Sequence, residues 1–291
     1  MYLGEDLTII IGPARSGTTM LGNLISMDSR YAYIEEPNVV WKYSNCKYKT
    51  DMLPERLAST RICEHIRSEF SRRNVSNKPF VVEKTPANSL RLSFVYKVFP
   101  KAKYVILCRD GRDVILSAYN KWVSGVDKNK NKLPSEKVIF SDFRKQCSKL
   151  MDVSIVDVCY YIPLVFQEVM FSTFRRNRRI WGPQFPGIHS LAGLLDPIEL
   201  CALQWKWSVQ MIEAHVLLIP PSNRLYVKYE DLCAEPLKTL SDVFNFSSGS
   251  LPKNIDDIIS LITPTSNKRD LDLLHKVDCL INRDLRSLGY L

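Results

Sequence analysis

The sequence predicts a three-layer α/β fold in which a central, mainly parallel sheet is flanked by helices. Two strand-to-helix transitions carry that expectation. A β-branched run, Thr8-Ile9-Ile10-Ile11, is stopped by Gly12-Pro13 and followed by a helix-like pattern from Gly17. A second apolar run, Tyr104 to Cys108, is turned by Arg109-Asp110-Gly111 and followed by a helical period over Asp113 to Trp122. Short apolar runs bounded by turn residues and followed by helices are the pattern of buried parallel strands.

The other elements follow in chain order. Tyr31 to Ile34 reads as a short strand ending in Glu35-Glu36-Pro37. Pro54 to Arg72 reads as one helix, with Leu57, Ile62, Ile66 and Phe70 at core spacing. Phe80 to Glu83 is a strand and Ser89 to Phe99 a helix. Residues 125–194 are the least regular part, with a Lys/Asn turn at Asp127 to Lys132 and a basic run Arg175-Arg176-Asn177-Arg178-Arg179. That run reads as a solvated charged loop rather than a grip on an acidic glycan. Trp181-Gly182-Pro183 and Phe185-Pro186-Gly187 mark turns. Asp196 is a good cap for a long helix over Pro197 to Leu218. Leu225 to Tyr229 is a strand, Pro236 to Phe244 a helix, and Ser266, Lys268 and Arg269 sit in a late loop. Internal repeats and an interdomain linker are not evident. Residues 1–291 are therefore expected to form one domain, with a substrate-side insertion at about 125–195.

The first strand–loop–helix junction is the strongest functional signal. A tight loop leading into a helix N-terminus aims free backbone N–H groups and the positive end of the helix dipole at one point, which suits a phosphate. Arg15 adds a fixed charge, and Ser16, Thr18 and Thr19 add hydroxyls around Gly17. Gly12 and Gly17 have the spacing of a nucleoside-triphosphate loop, G-x-x-x-x-G-K-[ST], so the fold is P-loop-like. Thr18, however, stands where the lysine that reaches the β- and γ-phosphates should be. The site thus suits a ligand with one 5′-phosphate rather than three.

Arg109 falls at the carboxyl end of the second strand, where ligands bind open α/β sheets. Ser117 lies about two turns into the following helix and can reach the same ligand. A guanidinium and a hydroxyl aimed at one point suit a second phosphate.

Together these segments resemble the sulfotransferases that use 3′-phosphoadenosine 5′-phosphosulfate (PAPS). Pro13-Ala14-Arg15-Ser16-Gly17-Thr18-Thr19 is similar to that family's 5′-phosphosulfate loop. Arg109-Asp110-Gly111-Arg112-Asp113 with Ser117 is similar to its 3′-phosphate element. Glu83-Lys84-Thr85-Pro86 looks like its lysine-containing strand end, Tyr226 to Leu232 like its adenine-side segment, and Leu288-Gly289-Tyr290 like the ending of many bacterial members. The resemblance runs from about Leu7 to Tyr290 and is poor between Gly125 and Ile180.

The departures narrow the branch. Members acting on phenols and steroids usually carry Lys where this chain has Arg15 and Trp where it has Met20. Their catalytic His falls where this chain has Pro86. An arginine loop without that His looks more like the carbohydrate- and tyrosyl-protein-modifying branches, which use a glutamate base. Glu35 and Glu36 are the candidates, at a strand end on the ligand edge. Glu36 is preferred, because the Glu-Pro pairing looks like the family's pattern. Side-chain alternation along a strand predicts that at most one of the two faces the site.

The resemblance implies the rest of the site. Thr18, Thr19 and the loop amides hold the 5′-phosphate, and Arg109 and Ser117 hold the 3′-phosphate. Lys84 and Arg15 offset charge growing on the bridging oxygen, so no metal is required. Tyr229 contacts adenine, and Ser266, Lys268 and Arg269 close over the 3′-phosphate. A glycan or small-metabolite hydroxyl is favoured as the acceptor by the absence of the phenol-type His, with tyrosine and amine acceptors left open, and adenosine 3′,5′-bisphosphate (PAP) is the product. Two other readings compete. One is a kinase of related fold using ATP and magnesium; the other is a catalytically silent nucleotide-binding module.

Composition agrees. Forty basic against 31 acidic residues give a net charge of +9, which favours anionic ligands. No nucleic-acid-binding signature accompanies that charge. The eight cysteines form no C-x-x-C pair, so a zinc site is not expected, and Cys108 and Cys201 read as buried thiols. The apolar stretch Val153 to Phe171 is broken by Asp157, Pro163 and Glu168, so no membrane span is expected. The N-terminus does not read as a signal peptide, and the chain reads as cytoplasmic; the alternative is a lumenal catalytic domain of a membrane-anchored parent.

Overall fold

The computed structural model of the protein describes residues 4–74, 77–129, 180–263 and 269–291. Strands β1 (Leu7–Ile11), β2 (Tyr31–Glu35), β3 (Phe80–Lys84), β4 (Lys103–Cys108) and β5 (Arg224–Lys228) form one sheet in the order β2-β3-β1-β4-β5. Every pairing is parallel. All carboxyl ends therefore share one edge. β1 has β3 on one side and β4 on the other, so the direction of winding switches beside β1. Ligands of such sheets bind at that switch point.

Alternation along β1 builds the layers. Ile9 and Ile11 join one core with Phe70 and Phe94, from helices α3 (Thr60–Arg73) and α4 (Leu92–Val98). Ile10 joins the core on the other face, with Leu24 of α1 (Thr18–Ser26) and Phe244 of a later helix, Pro236–Ser248. A third core surrounds Val114, Trp205 and Ile281, which lie on α5 (Gly111–Asn129) and on the helices Pro197–His215 and Asp278–Ser287. A sheet with all five β1 side chains buried and helices on both faces is the expected three-layer α/β arrangement.

Several boundaries differ from the sequence reading. The helix expected over Pro54 to Arg72 is divided. Glu55–Leu57 is a 3₁₀ turn, and α3 starts only after Ser59, whose extended backbone lets its hydroxyl cap Ile62 N–H at 3.4 Å. The helix expected over Ser89 to Phe99 begins earlier, as a 3₁₀ segment Pro86–Arg91, and turns α-helical only at Leu92. The long helix after Asp196 ends at His215 and passes into a 3₁₀ turn at Val216–Leu218; Glu199 reaches back to the Asp196 N–H at 2.8 Å as a capping box requires. Tyr229, expected to end a strand, instead opens the helix Tyr229–Ala234. The last turns of α5 occupy residues 127–129, where a loop was expected. The helix Pro236–Ser248 outruns its expected end at Phe244 and stops at Gly249, whose φ of 73° suits a glycine terminator. The basic run 175–179 and the stretch 153–171 lie outside the described residues. Among the described residues no helix is long and apolar enough to cross a membrane.

One packing detail gives a direct test. A Cβ on Gly22, in α1, would stand 2.6 Å from the Tyr33 hydroxyl of β2, and that hydroxyl is buried without a hydrogen-bond partner. Tyr33→Phe should therefore leave stability unchanged or raised, because it removes an unsatisfied polar atom. Gly22→Ala should destabilise the parent by roughly 1–3 kcal/mol in urea denaturation, as overpacking does, and by less in the Tyr33→Phe background. Strictly additive effects would show that the two side chains do not compete for this space.

Candidate functional site

The loop between β1 and α1 is built around itself. Ser16 is fully buried; its hydroxyl donates to Pro13 O at 2.6 Å and its N–H to the same oxygen at 3.2 Å. Ser16 therefore shapes the loop rather than offering it a free donor. Gly17 caps α1 with a φ of 98°, a region that strongly favours glycine, and a Cβ there would meet the Tyr229 ring at 2.5 Å. With no side chain at the cap, the first-turn N–H groups of α1 are left to the loop's concave side. Thr18 is buried and Thr19 exposed at that turn.

The two segments expected to bind phosphate meet. The Arg15 Nε donates to Ser117 Oγ at 3.1 Å, across 102 residues of sequence. Arg109 is 5% exposed, donates to Arg15 O at 3.3 Å and lies 4.1 Å from the centre of the Tyr229 ring. Tyr229 is thus a buried prop between Arg109 and the Gly17 loop. The adenine stacking anticipated for its ring meets an obstacle: Arg109 covers one face and Gly17 crowds the edge.

Behind Arg109, the Asp110 carboxylate accepts from Arg112 Nη2 at 2.7 Å and Arg269 Nη2 at 2.9 Å. Burial pushes this carboxyl up, but hydrogen bonds from the Arg112 side chain and backbone and the nearby Arg112 and Arg269 charges outweigh it and hold it below the usual carboxylate value. Arg269, expected over the 3′-phosphate, also donates to Asp113 at 3.0 Å. Ser266 and Lys268 lie outside the described residues. The chain's end docks here as well: Arg112 donates to Tyr290 O at 3.2 Å, and the Tyr290 hydroxyl to Glu230 at 2.8 Å.

The third component is a buried ammonium. Lys84 ends β3 with its side chain fully buried, and its Nζ donates to Glu36 Oε1 at 2.7 Å and Glu35 Oε1 at 3.1 Å. Strand alternation had predicted that only one of these acids faces the site, and the structure corrects this. β2 ends at Glu35, and Glu36 turns back with a left-handed φ of 48° while its N–H still bonds Lys84 O at 2.9 Å. Both carboxylates consequently reach one cation. They remain about half exposed, so a ligand can approach them from solvent while the lysine stays covered.

A buried polar group that sequence reasoning missed backs this site. Glu83, next to Lys84 on β3, points to the opposite face and is fully buried. It accepts from Thr85 Oγ1 at 2.5 Å, Trp41 Nε1 at 3.0 Å and Asn88 Nδ2 at 3.2 Å. Burial pushes its carboxyl up to about 7, against hydrogen bonds from Thr85 and Trp41 and the charges of Arg91 and Lys84. Arg91, also fully buried, donates to Asn88 Oδ1 at 2.8 Å, and burial lowers its pKa. The available signal was a glutamate interrupting an otherwise apolar strand, Phe80-Val81-Val82-Glu83. Cys201 is buried as expected, whereas Cys108 is only half-buried at the end of β4.

A profile described as the sulfotransferase domain matches residues 5–271. The chain belongs to the sulfotransferase domain family. Solved sulfotransferases share the fold at low identity. One is the sulfotransferase domain from the curacin biosynthetic pathway, 15% identical with a TM-score of 0.52, covering 98% of this chain and 97% of its own. Another is sulfotransferase STF9 from Mycobacterium avium, 11% identical with a TM-score of 0.54, covering 97% of this chain and 76% of its own. No curated protein matches the chain in sequence. The α/β sheet and the sulfotransferase membership expected from the motifs are thus both observed.

Glu83 sets a pH dependence in this sulfotransferase. Its folded pKa of about 7 lies above the ordinary 4.5, so folding favours the protonated form. That stabilisation is present below about pH 4.5 and is lost as pH rises towards about 7. Thermal or urea unfolding should show the parent losing stability relative to Glu83→Gln across this window. A constant difference between the two would mean that Glu83 keeps one charge state throughout.

Proposed function

We propose that this sulfotransferase moves a sulfuryl group from PAPS to a hydroxyl of a glycan or small metabolite, with Glu36 as the base. The observation that carries the reading is the pair of carboxylates held on the buried Lys84 ammonium, at the same sheet edge as the Gly17 loop. The Gly17 cradle and the convergence of Arg15, Ser117 and Arg109 fit an adenine nucleotide with phosphates at its 5′ and 3′ positions. PAPS, when bound, supplies an activated sulfuryl group on a phosphate leaving group.

The chain's own residues do the remainder. Thr18, Thr19 and the amides of the α1 N-terminus would hold the 5′-phosphate, and Arg109 and Ser117 the 3′-phosphate. Lys84 and Arg15 supply positive charge where negative charge grows on the leaving oxygen. Glu36 Oε accepts the acceptor's proton, and Glu35 keeps a second negative charge beside Lys84 when Glu36 is neutralised. Pro86 stands where a His base would be, which supports a glutamate in that role. The same reading treats the chain as one cytoplasmic domain with residues 125–195 on the substrate side.

Titration calorimetry with PAP, AMP and ATP–magnesium tests the cofactor class. Micromolar or tighter binding that requires the 3′-phosphate is expected. A preference for ATP–magnesium would replace the proposal with a kinase, and no binding to any of the three with a silent module. Arg109→Ala should weaken PAP binding about tenfold or more, since a hydrogen bond to a charged group is worth roughly 1.5–3 kcal/mol; unchanged affinity would remove Arg109 from the phosphate site. Glu36→Gln should abolish most turnover of an acceptor found by screening with PAPS, while PAP affinity holds.

A further inference from the structure

Glu36 is held in a backbone conformation that it does not choose by itself. A glutamate at φ 48° is an uncommon left-handed residue, kept there by its surroundings. Its two flanks identify those surroundings. On one side its N–H bonds Lys84 O. On the other, after Pro37, the chain enters the four-residue helix α2 (Asn38–Trp41), with Asn38 N–H on Glu36 O at 2.7 Å.

α2 is gripped at both ends by buried polar groups. At its last residue, the Trp41 indole N–H donates to Glu83 at 3.0 Å. At its first, Asn38 Oδ1 accepts from Arg91 Nη2 at 3.4 Å. Asn88 closes the circuit, donating to Glu83 and accepting from Arg91. Arg91 also lies 5.9 Å from the centre of the Trp41 ring. Glu83 is the strand neighbour of Lys84, so one residue of β3 fixes the cation and the next fixes the helix that follows its counter-ion.

We propose that the Asn88-bridged pair Glu83 and Arg91 is the positioning device for Glu36, acting through Trp41 and Asn38 to hold the carboxylate on Lys84. The inference rests on the reading of Glu36 as the base for its catalytic consequence, but not for its geometric one. None of the four residues touches the acceptor in this scheme; they set where the base stands. The Lys84 ammonium alone would not select this arrangement, because a flexible glutamate side chain can reach a cation from many backbone conformations.

The test uses two variants of the full chain. Asn38→Ala changes an exposed residue and is expected to fold. Trp41→Phe keeps an aromatic ring at this fully buried position and removes the donor to Glu83 together with part of the indole's volume. In crystal structures of both, Glu36 is expected to leave its left-handed conformation and its Oε1 to move away from Lys84 Nζ, whereas Asn38→Asp, which keeps the oxygen facing Arg91, retains both. Turnover with PAPS and a screened acceptor should fall about tenfold or more, because small misplacements of reacting groups are costly, with KM for PAPS and PAP affinity within about twofold of the parent. In the Glu36→Gln background the same substitutions should have no further effect on turnover. If Glu36 stays on Lys84 with positive φ in both variants and turnover is retained, the positioning role is overturned. If Glu36→Gln alone keeps full turnover, the base assignment fails, and the crystal geometry still decides the positioning.

Discussion

A buried ammonium must be neutralised, and around Lys84 that requirement organises the candidate site. Leaving a charge uncompensated in the interior costs several kcal/mol. Here the compensation comes from two carboxylates at the end of the neighbouring strand. β2 pairs with β3 so that Glu35 stands opposite Lys84, and the chain then bends back to bring Glu36 in as well. The left-handed turn at Glu36 brings the second acid to that cation, and both acids stay about half exposed beside it.

The same strand solves the opposite problem on its other face. Glu83 is a carboxylate in the core, and it survives there because Thr85, Trp41 and Asn88 all donate to it. Buried hydrogen-bonded networks of this kind restrict the arrangement of their elements where an apolar core would tolerate several. The 3₁₀ geometry of Pro86–Arg91 belongs to this network, since it presents Asn88 and Arg91 to Glu83 and α2.

The other half of the site is organised by aromatic packing and a second ion cluster. Tyr229 fills the space that the absent Gly17 side chain leaves, and it lies beneath the Arg109 guanidinium. Asp110 draws Arg112 and Arg269 together, and Tyr290 joins that cluster through Arg112 and Glu230. The loop, the β4 end and the chain's last residues thereby form one connected support, although they are far apart in sequence.

Sequence alone determined the α/β class and the strands, and it singled out the two strand-to-helix junctions as candidate phosphate elements. These depend on local causes: β-branched runs make strands, Gly12 and Gly17 make the loop, and an uncapped helix N-terminus binds anions. Sequence also singled out Glu35, Glu36 and Lys84, though local alternation could not foresee that both acids meet one lysine, because that follows from a left-handed residue imposed by long-range contacts. Its reading of Pro54 to Arg72 as one helix missed a break at Ser59, where a side-chain cap competes with apolar periodicity. Only the tertiary structure decided that Tyr229 is a prop, that Ser16 is spent on Pro13, that Arg15 reaches Ser117, and that Glu83 and Arg91 are joined through Asn88. Each is a pairing set by how strands and helices stack, and no periodicity in a single chain encodes which distant side chain will occupy the space left by a glycine or satisfy a buried charge.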